Sequence, residues 1–405
     1  MVTGPTPTSI RRMPPTPSAS PFTRFIRSRR GQVAAAAGVA AIVVGGVIAF
    51  VSATPPPPAP SQTASPSPTA SPSPTASPTE RPTPSPTPEP TPVAERCPLD
   101  GMPIADGYEP TQPALAVQIE NHPDARPGRN LNNADIIVET TVEGDTTRFT
   151  GIFYCDQTDG MTGPVRSARY YNIDLWQDLH VLTVGFGASP GAVQRFINAG
   201  MPYPNGIEGG WPWYQRFGPR AAPHNLYVDL EAMRDALSAN ARLKPLADRV
   251  DELRPPWQFN DDGELPEGGR DVTQVDIRTN SFWRFGFTWD EDLAAYLRSD
   301  SGVYIEDEAT GDPLAPTSVI VQRVTQEVVY GDPDPGGNAR RLQHLVGSGE
   351  GTLYTGGRAY DIRWERPTAD DGTTWTLADT GDELVLPPGQ IWWEILPVES
   401  RLSES

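Results

Sequence analysis

The chain has 405 residues, 47 of them proline, and carries 51 acidic against 32 basic side chains, a net charge of −19. Length alone allows two or three domains, but the prolines and an apolar run near the start mean that part of the chain is not globular. A surface this negative repels nucleic acid and anionic lipid headgroups, so no nucleic-acid partner is expected.

Residues 1–30 form a cytoplasmic basic arm ending in RFIRSRR, and 31–53 contain no charged side chain. That uncharged length matches a helix crossing the ~30 Å hydrocarbon layer. Arginines before it and no basic cluster close behind predict a single-pass anchor in the cell membrane, with the remainder outside. The alternative is secretion after signal cleavage near Ala53, because VSA resembles a small-residue cleavage site. Residues 54–92 are a Pro/Ser/Thr-rich linker with almost nothing apolar to bury, and so an extended, disordered stalk.

Seven basic and two acidic residues precede residue 93, which leaves 25 basic against 49 acidic, a net charge of −24, for the rest. An anion site in such a chain must be local and built of clustered arginines. Two cysteines, Cys97 and Cys155, lie in this exterior part, and an even count there predicts one disulfide. Four scattered histidines, none at ligand spacing from a cysteine, give no metal site, and no cofactor is expected.

From 93 the runs ALAVQIE (114–120), ADIIVET (134–140) and TRFTGIFYC (147–155) read as strands. SARYYNIDLWQDL then carries apolar residues at helical spacing, with Ser167 as candidate N-cap. HVLTVGFGASPGAVQRFINAG is a buried strand, a glycine turn and a helix opened by Ser189 and Pro190 and closed by Gly200. The helix start exposes backbone N–H groups, a natural place for an anion. A long aromatic loop covers 209–227, and Asp229 caps a short helix over 229–240. Beyond Val272 short alternating runs separated by Gly, Pro and Asp replace helical signals. The expected fold class is therefore α+β: an N-terminal α/β domain over 93–255, an interdomain linker over 256–271, a mostly antiparallel β domain over 272–398, and a tail over 399–405.

Three functions compete. In the first, Arg148, Arg166 and Arg169 and the helix start at Ser189 hold a phosphate or carboxylate of an envelope ligand, because guanidinium forks match those oxygens. Acidic neighbours pairing with these arginines would explain them equally well. In the second, Glu120, His122, Glu139 and Glu143 are acid and base groups of a hydrolase acting on an envelope glycan or phosphodiester. No nucleophile elbow, HExxH or Walker loop is present, and whether the chain is an enzyme stays open. The third is a surface scaffold that offers the rings from Trp211 to Phe217 to a protein or polysaccharide. Tryptophans 283, 289, 364, 375, 392 and 393 are either a sugar-stacking surface or core.

The ordered motifs ALAVQIENHPDARPGRNLNNADIIVETTVEGDTTRF, GPVRSARYYNIDL, GASPGA, HNLYVD, LVGSGEG and LPPGQIWWEIL resemble the YerB-like family of bacterial surface proteins, catalogued as domain of unknown function 3048. The likeness covers nearly all of 97–398. It implies an N-terminal and a C-terminal part and an extracytoplasmic place, and no activity. Its motif positions fall on Glu120, Asn121, His122, Arg126, Glu139, Glu143, Arg148, Arg166, Ser167, Arg169, Ser189, His224 and Asn225. Relatives are often lipoproteins, whereas this chain offers an apolar run and a stalk.

Overall fold

The computed structural model describes residues 95–405 apart from 105–112, 156–159, 202, 204, 210, 242, 245–252 and 262. The basic arm, the expected membrane helix over 31–53 and the linker over 54–92 lie outside the described residues. Among the described residues no helix is long and apolar enough to cross a membrane.

The chain is β-rich. Its backbone is a ten-stranded sheet in which β1 (Leu115–Glu120), β2 (Ile136–Thr141) and β3 (Thr147–Phe153) occupy one side. β3 lies between β2 and β1, antiparallel to both, and Leu182–Val184 runs parallel to β1 at the edge. On the other flank of β2 comes Ile391–Pro397, followed by Ser318–Val324, Gly347–Thr355, Arg358–Arg366 and Thr374–Leu377. The sheet therefore continues across the break in composition at 256–271.

Ile391–Pro397 departs from the expected antiparallel pattern, since it runs parallel to both neighbours, β2 and Ser318–Val324. Its sequence, IWWEILP, gives the reason: every residue is buried, so it must sit centrally with both faces covered. The same holds for β1 and β2, which are buried throughout.

Alternation sends Leu115, Val117 and Ile119 into one core and Ala116, with Ile136 and Val138 of β2, into another. The first core takes in Leu230, Met233 and Leu237 of the helix Leu230–Ala239, and Val275, Ile277, Phe285 and Phe287 of a five-stranded antiparallel sheet. The second packs Tyr171, Leu175 and Leu179 of the helix Tyr171–Leu179 with Trp257, Trp364, Trp375 and Trp393. Trp392 is also fully buried, in the first core, and Trp283 and Trp289 are partly buried against it. The sugar-stacking reading of these tryptophans is thereby corrected: their apolar area is spent on core packing.

Candidate functional site

The site grows from the end of β1. There the segment 163–166 runs alongside the strand: Glu120 N–H donates to Pro164 O at 2.8 Å and Arg166 N–H to Gln118 O at 2.9 Å. This brings Arg166 to Glu120, Nη2 to Oε1 at 2.8 Å. The other oxygen of Glu120 meets His224 Nδ1 at 3.1 Å, and the His224 ring stacks on His122 with centroids 5.3 Å apart. Glu120 is buried, while the His122 side chain is 46% exposed, so this trio runs from core to solvent.

Arg148 lies directly opposite Glu120 in the β1–β3 pairing. Beside it Arg169 clamps Glu143 through two bonds, Nε to Oε2 at 2.7 Å and Nη2 to Oε1, and Arg340 reaches the same Oε1 at 2.5 Å. Burial pushes the Glu143 carboxyl up, but Arg169, Arg148 and Arg340 outweigh it and hold the group at about 2. Such a carboxylate is a poor proton acceptor near neutral pH, which argues against Glu143 as a general base.

Arg148 is the exception in this cluster. It is only 6% exposed, its Nη1 donates to Ser167 O at 3.3 Å, and its Nε has no partner. Among the described residues no carboxylate comes within the 4.0 Å of an ion pair. Burial, then repulsion from Arg169, lowers its pKa from the ordinary guanidinium value to about 9, against a smaller attraction from Glu143. An anion entering here would meet a guanidinium whose charge is poorly compensated.

The remaining expected residues have other duties. Glu139 is fully buried and held by Arg298 in a fork, Nη2 to Oε1 at 2.8 Å and Nε to Oε2 at 3.1 Å, with Thr147 and Asn121 also donating to it. That closed shell leaves no approach for a substrate, so Glu139 is corrected from candidate acid–base group to ion-pair partner. Arg126 binds Asn121 and Asp300. Asn225 lies in the aromatic loop between Arg216 and the Arg220 carbonyl.

Ser167 is not a helix cap. The helix starts at Tyr171, and the Ser167 hydroxyl donates to Phe186 O. Ser189 does cap the helix Pro190–Asn198 through Ala192 N–H at 3.1 Å. The anion at that helix start is internal: Asp332 accepts from Gly191 N–H at 3.2 Å and from the Tyr170 hydroxyl at 2.8 Å. A side chain at Gly191 would collide with that hydroxyl, so only glycine admits the pair. The helix start is thus corrected from ligand site to an intramolecular contact.

The aromatic loop packs inward as well. Trp213 is buried, Trp211 stacks on it at 4.9 Å, and the Tyr214 hydroxyl donates to Gly185 O at 3.0 Å. Cys97 and Cys155 are joined, with Cα atoms 5.7 Å apart. Sequence reasoning missed Arg298, Asp332, Arg340 and Glu394. The last lies beside Glu139 on the adjacent parallel strand, and neither of its oxygens has a hydrogen-bond partner. Burial, reinforced by Glu139, raises its pKa well above the carboxylate range.

Comparison with known proteins agrees with this architecture. The chain is 28% identical over 301 residues to the protein named "Putative lipoprotein YerB" of Bacillus subtilis (strain 168), covering 74% of this chain and 86% of that one. The crystal structure of YerB protein from Bacillus subtilis superposes with a TM-score of 0.63 at 27% identity, over 76% of this chain and 99% of that one. Residues 99–243 match the N-terminal domain, and 274–393 the C-terminal domain, of the protein of unknown function family DUF3048, and the chain belongs to that family.

Proposed function

We propose that the chain is a membrane-tethered extracytoplasmic protein that binds an anionic cell-envelope ligand between Arg148, Arg166 and Arg169. One observation carries the reading: Arg148 is buried with an unpartnered Nε and, among the described residues, no carboxylate at ion-pair distance, while its neighbours Arg166 and Arg169 hold Glu120 and Glu143. Folded chains seldom retain a buried charge so poorly compensated unless something else supplies the counter-charge. Exterior placement draws support from the arginine-flanked apolar run at 31–53 and from the word lipoprotein in the name of the relative.

The test is calorimetric titration of the full chain with inorganic phosphate and with soluble anionic fragments of cell envelope. Arg166 has a side chain 30% exposed and is close enough to repel Arg148. Losing one charge-assisted bond costs about 1.5–3 kcal/mol, so Arg166→Ala should weaken binding about ten- to hundredfold. Unchanged affinity in that variant would sink the pocket.

A hydrolase remains the second reading, now resting on one arrangement. Glu120 fixes His224, and the His122 ring lies against it at the solvent edge. Envelope fragments cleaved by the wild type and left intact by Glu120→Gln would favour it. The scaffold reading loses support, because the rings proposed as its contact surface are largely occupied with internal packing.

A further inference from the structure

A second concentration of arginines lies far from these motifs in sequence. Arg284, Arg278 and Arg401 sit at directly paired positions on three adjacent antiparallel strands of the five-stranded sheet. Paired positions point to the same face, so three cations form one row across the strands, spaced by roughly 4.8 Å per strand. Like charges placed directly opposite destabilise a sheet. None of the three makes an ion pair among the described residues, and all three are exposed.

The row lines a cleft of about 1080 Å³ between this sheet and the outer strands of the large one, where Arg323 and Arg363 also face in. Neither of those is in an ion pair among the described residues; Arg323 spends Nη2 on the carbonyls of Val398 and Ser400 at 2.6 and 2.9 Å. Five arginines thus converge on one concavity of a chain whose net charge is −19. Three carboxylates share the lining, Asp276, Glu350 and Asp361, and Asp361 is already bound to Arg270 at 2.8 Å.

We propose that this cleft binds a linear polyanion carrying phosphate groups, laid along the Arg284–Arg278–Arg401 row. A guanidinium offers paired donors to phosphate oxygens, and a row of them gives each successive anionic unit its own fork. The acidic residues in the lining select for charge density. A ligand with isolated single charges gains little against three carboxylates, whereas a phosphate chain outweighs them. The site is independent of Arg148, which belongs to the motif region at the end of β1.

The full chain is titrated with inorganic tripolyphosphate, with monophosphate and with a short polyglutamate, at two salt concentrations. Tripolyphosphate should bind with an affinity that falls steeply with salt. The Arg278→Gln, Arg401→Gln double variant should lose at least tenfold of it, with an unfolding midpoint equal to or above that of the wild type, because repulsion is relieved. Its response to monophosphate should persist, while Arg148→Met should show the opposite pattern, so the two sites can fail separately. Absence of tripolyphosphate binding, binding indifferent to the double variant, or a lowered midpoint would each overturn the assignment. Equal affinity for polyglutamate would overturn phosphate as the recognised group.

Discussion

Replacing Arg148 by methionine separates a binding role from a folding role. The guanidinium is depressed from its ordinary value to about 9 by burial and by Arg169. That corresponds to a cost on the order of 5 kcal/mol for keeping it charged inside the folded chain. Methionine fills a comparable length without that cost, and exchanging poorly compensated buried charge for apolar side chains often gains about 1–4 kcal/mol. The variant should therefore be more stable than the wild type at neutral pH, by an amount in that range. Its advantage should vanish at high pH. Above pH 9 and up to the ordinary guanidinium value, the unfolded wild type holds a proton that the folded form has released, so wild-type stability rises with pH across that window. Urea unfolding of the full chain, with and without saturating inorganic phosphate, reads both properties. Ligand stabilises the wild type by RT ln(1 + [L]/Kd), and the variant should start higher and show no response. A variant destabilised by more than about 1 kcal/mol, the centre of ordinary substitutions, would refute the reasoning and make Arg148 structural.

Two further outcomes follow from the buried carboxylates. Glu143→Gln leaves Arg169 and Arg340 without their shared partner and should cost about 3–5 kcal/mol at neutral pH. Because the folded carboxyl titrates at about 2, its contribution is complete above 4.5 and lost as pH falls through 2. The gap between wild type and variant in urea midpoints should close over that window, and a constant gap would exclude the ion-pair account. Glu394→Gln should behave in the opposite sense. Burial keeps the proton on folded Glu394 where the unfolded chain releases it above 4.5, so wild-type stability falls as pH climbs past that point. Glutamine has no proton to lose, and its advantage should grow with pH. Parallel stability curves for the two proteins would rule this out.

What the sequence reveals and conceals divides along chain distance. Ser189 with Pro190 and Asp229 mark helix starts by local hydrogen-bond chemistry, and both caps are present. β1, β2 and β3 are legible because short aliphatic runs bounded by Pro, Gly and Asn have few alternatives. Charge pairing is different. Arg169 lies 26 residues from Glu143, but Arg298 on Glu139, Arg340 on Glu143 and Asp332 at Gly191 N–H lie 159, 197 and 141 residues away, and nothing local announces those three. Two signals were nonetheless available: an arginine among the buried residues of AYLRSD, and a glutamate within IWWEILP, the lone charge of a strand otherwise fit for burial. A charge in that setting must find a partner or give up its ionisation. The row of Arg278, Arg284 and Arg401 was hidden for another reason, since strand register, which aligns the three, cannot be read from composition.

The position of Ile391–Pro397 has a consequence in time. β2 and Ser318–Val324 both need that strand between them, yet it follows both of them in the chain. Until it arrives, the first part of the sheet presents β2, whose first three residues are aliphatic, as a bare edge open to pairing with any passing strand. The emerging chain thus stays vulnerable to aggregation from the making of β2 until Ile391–Pro397 is added, and that strand acts as the closure that ends the exposure.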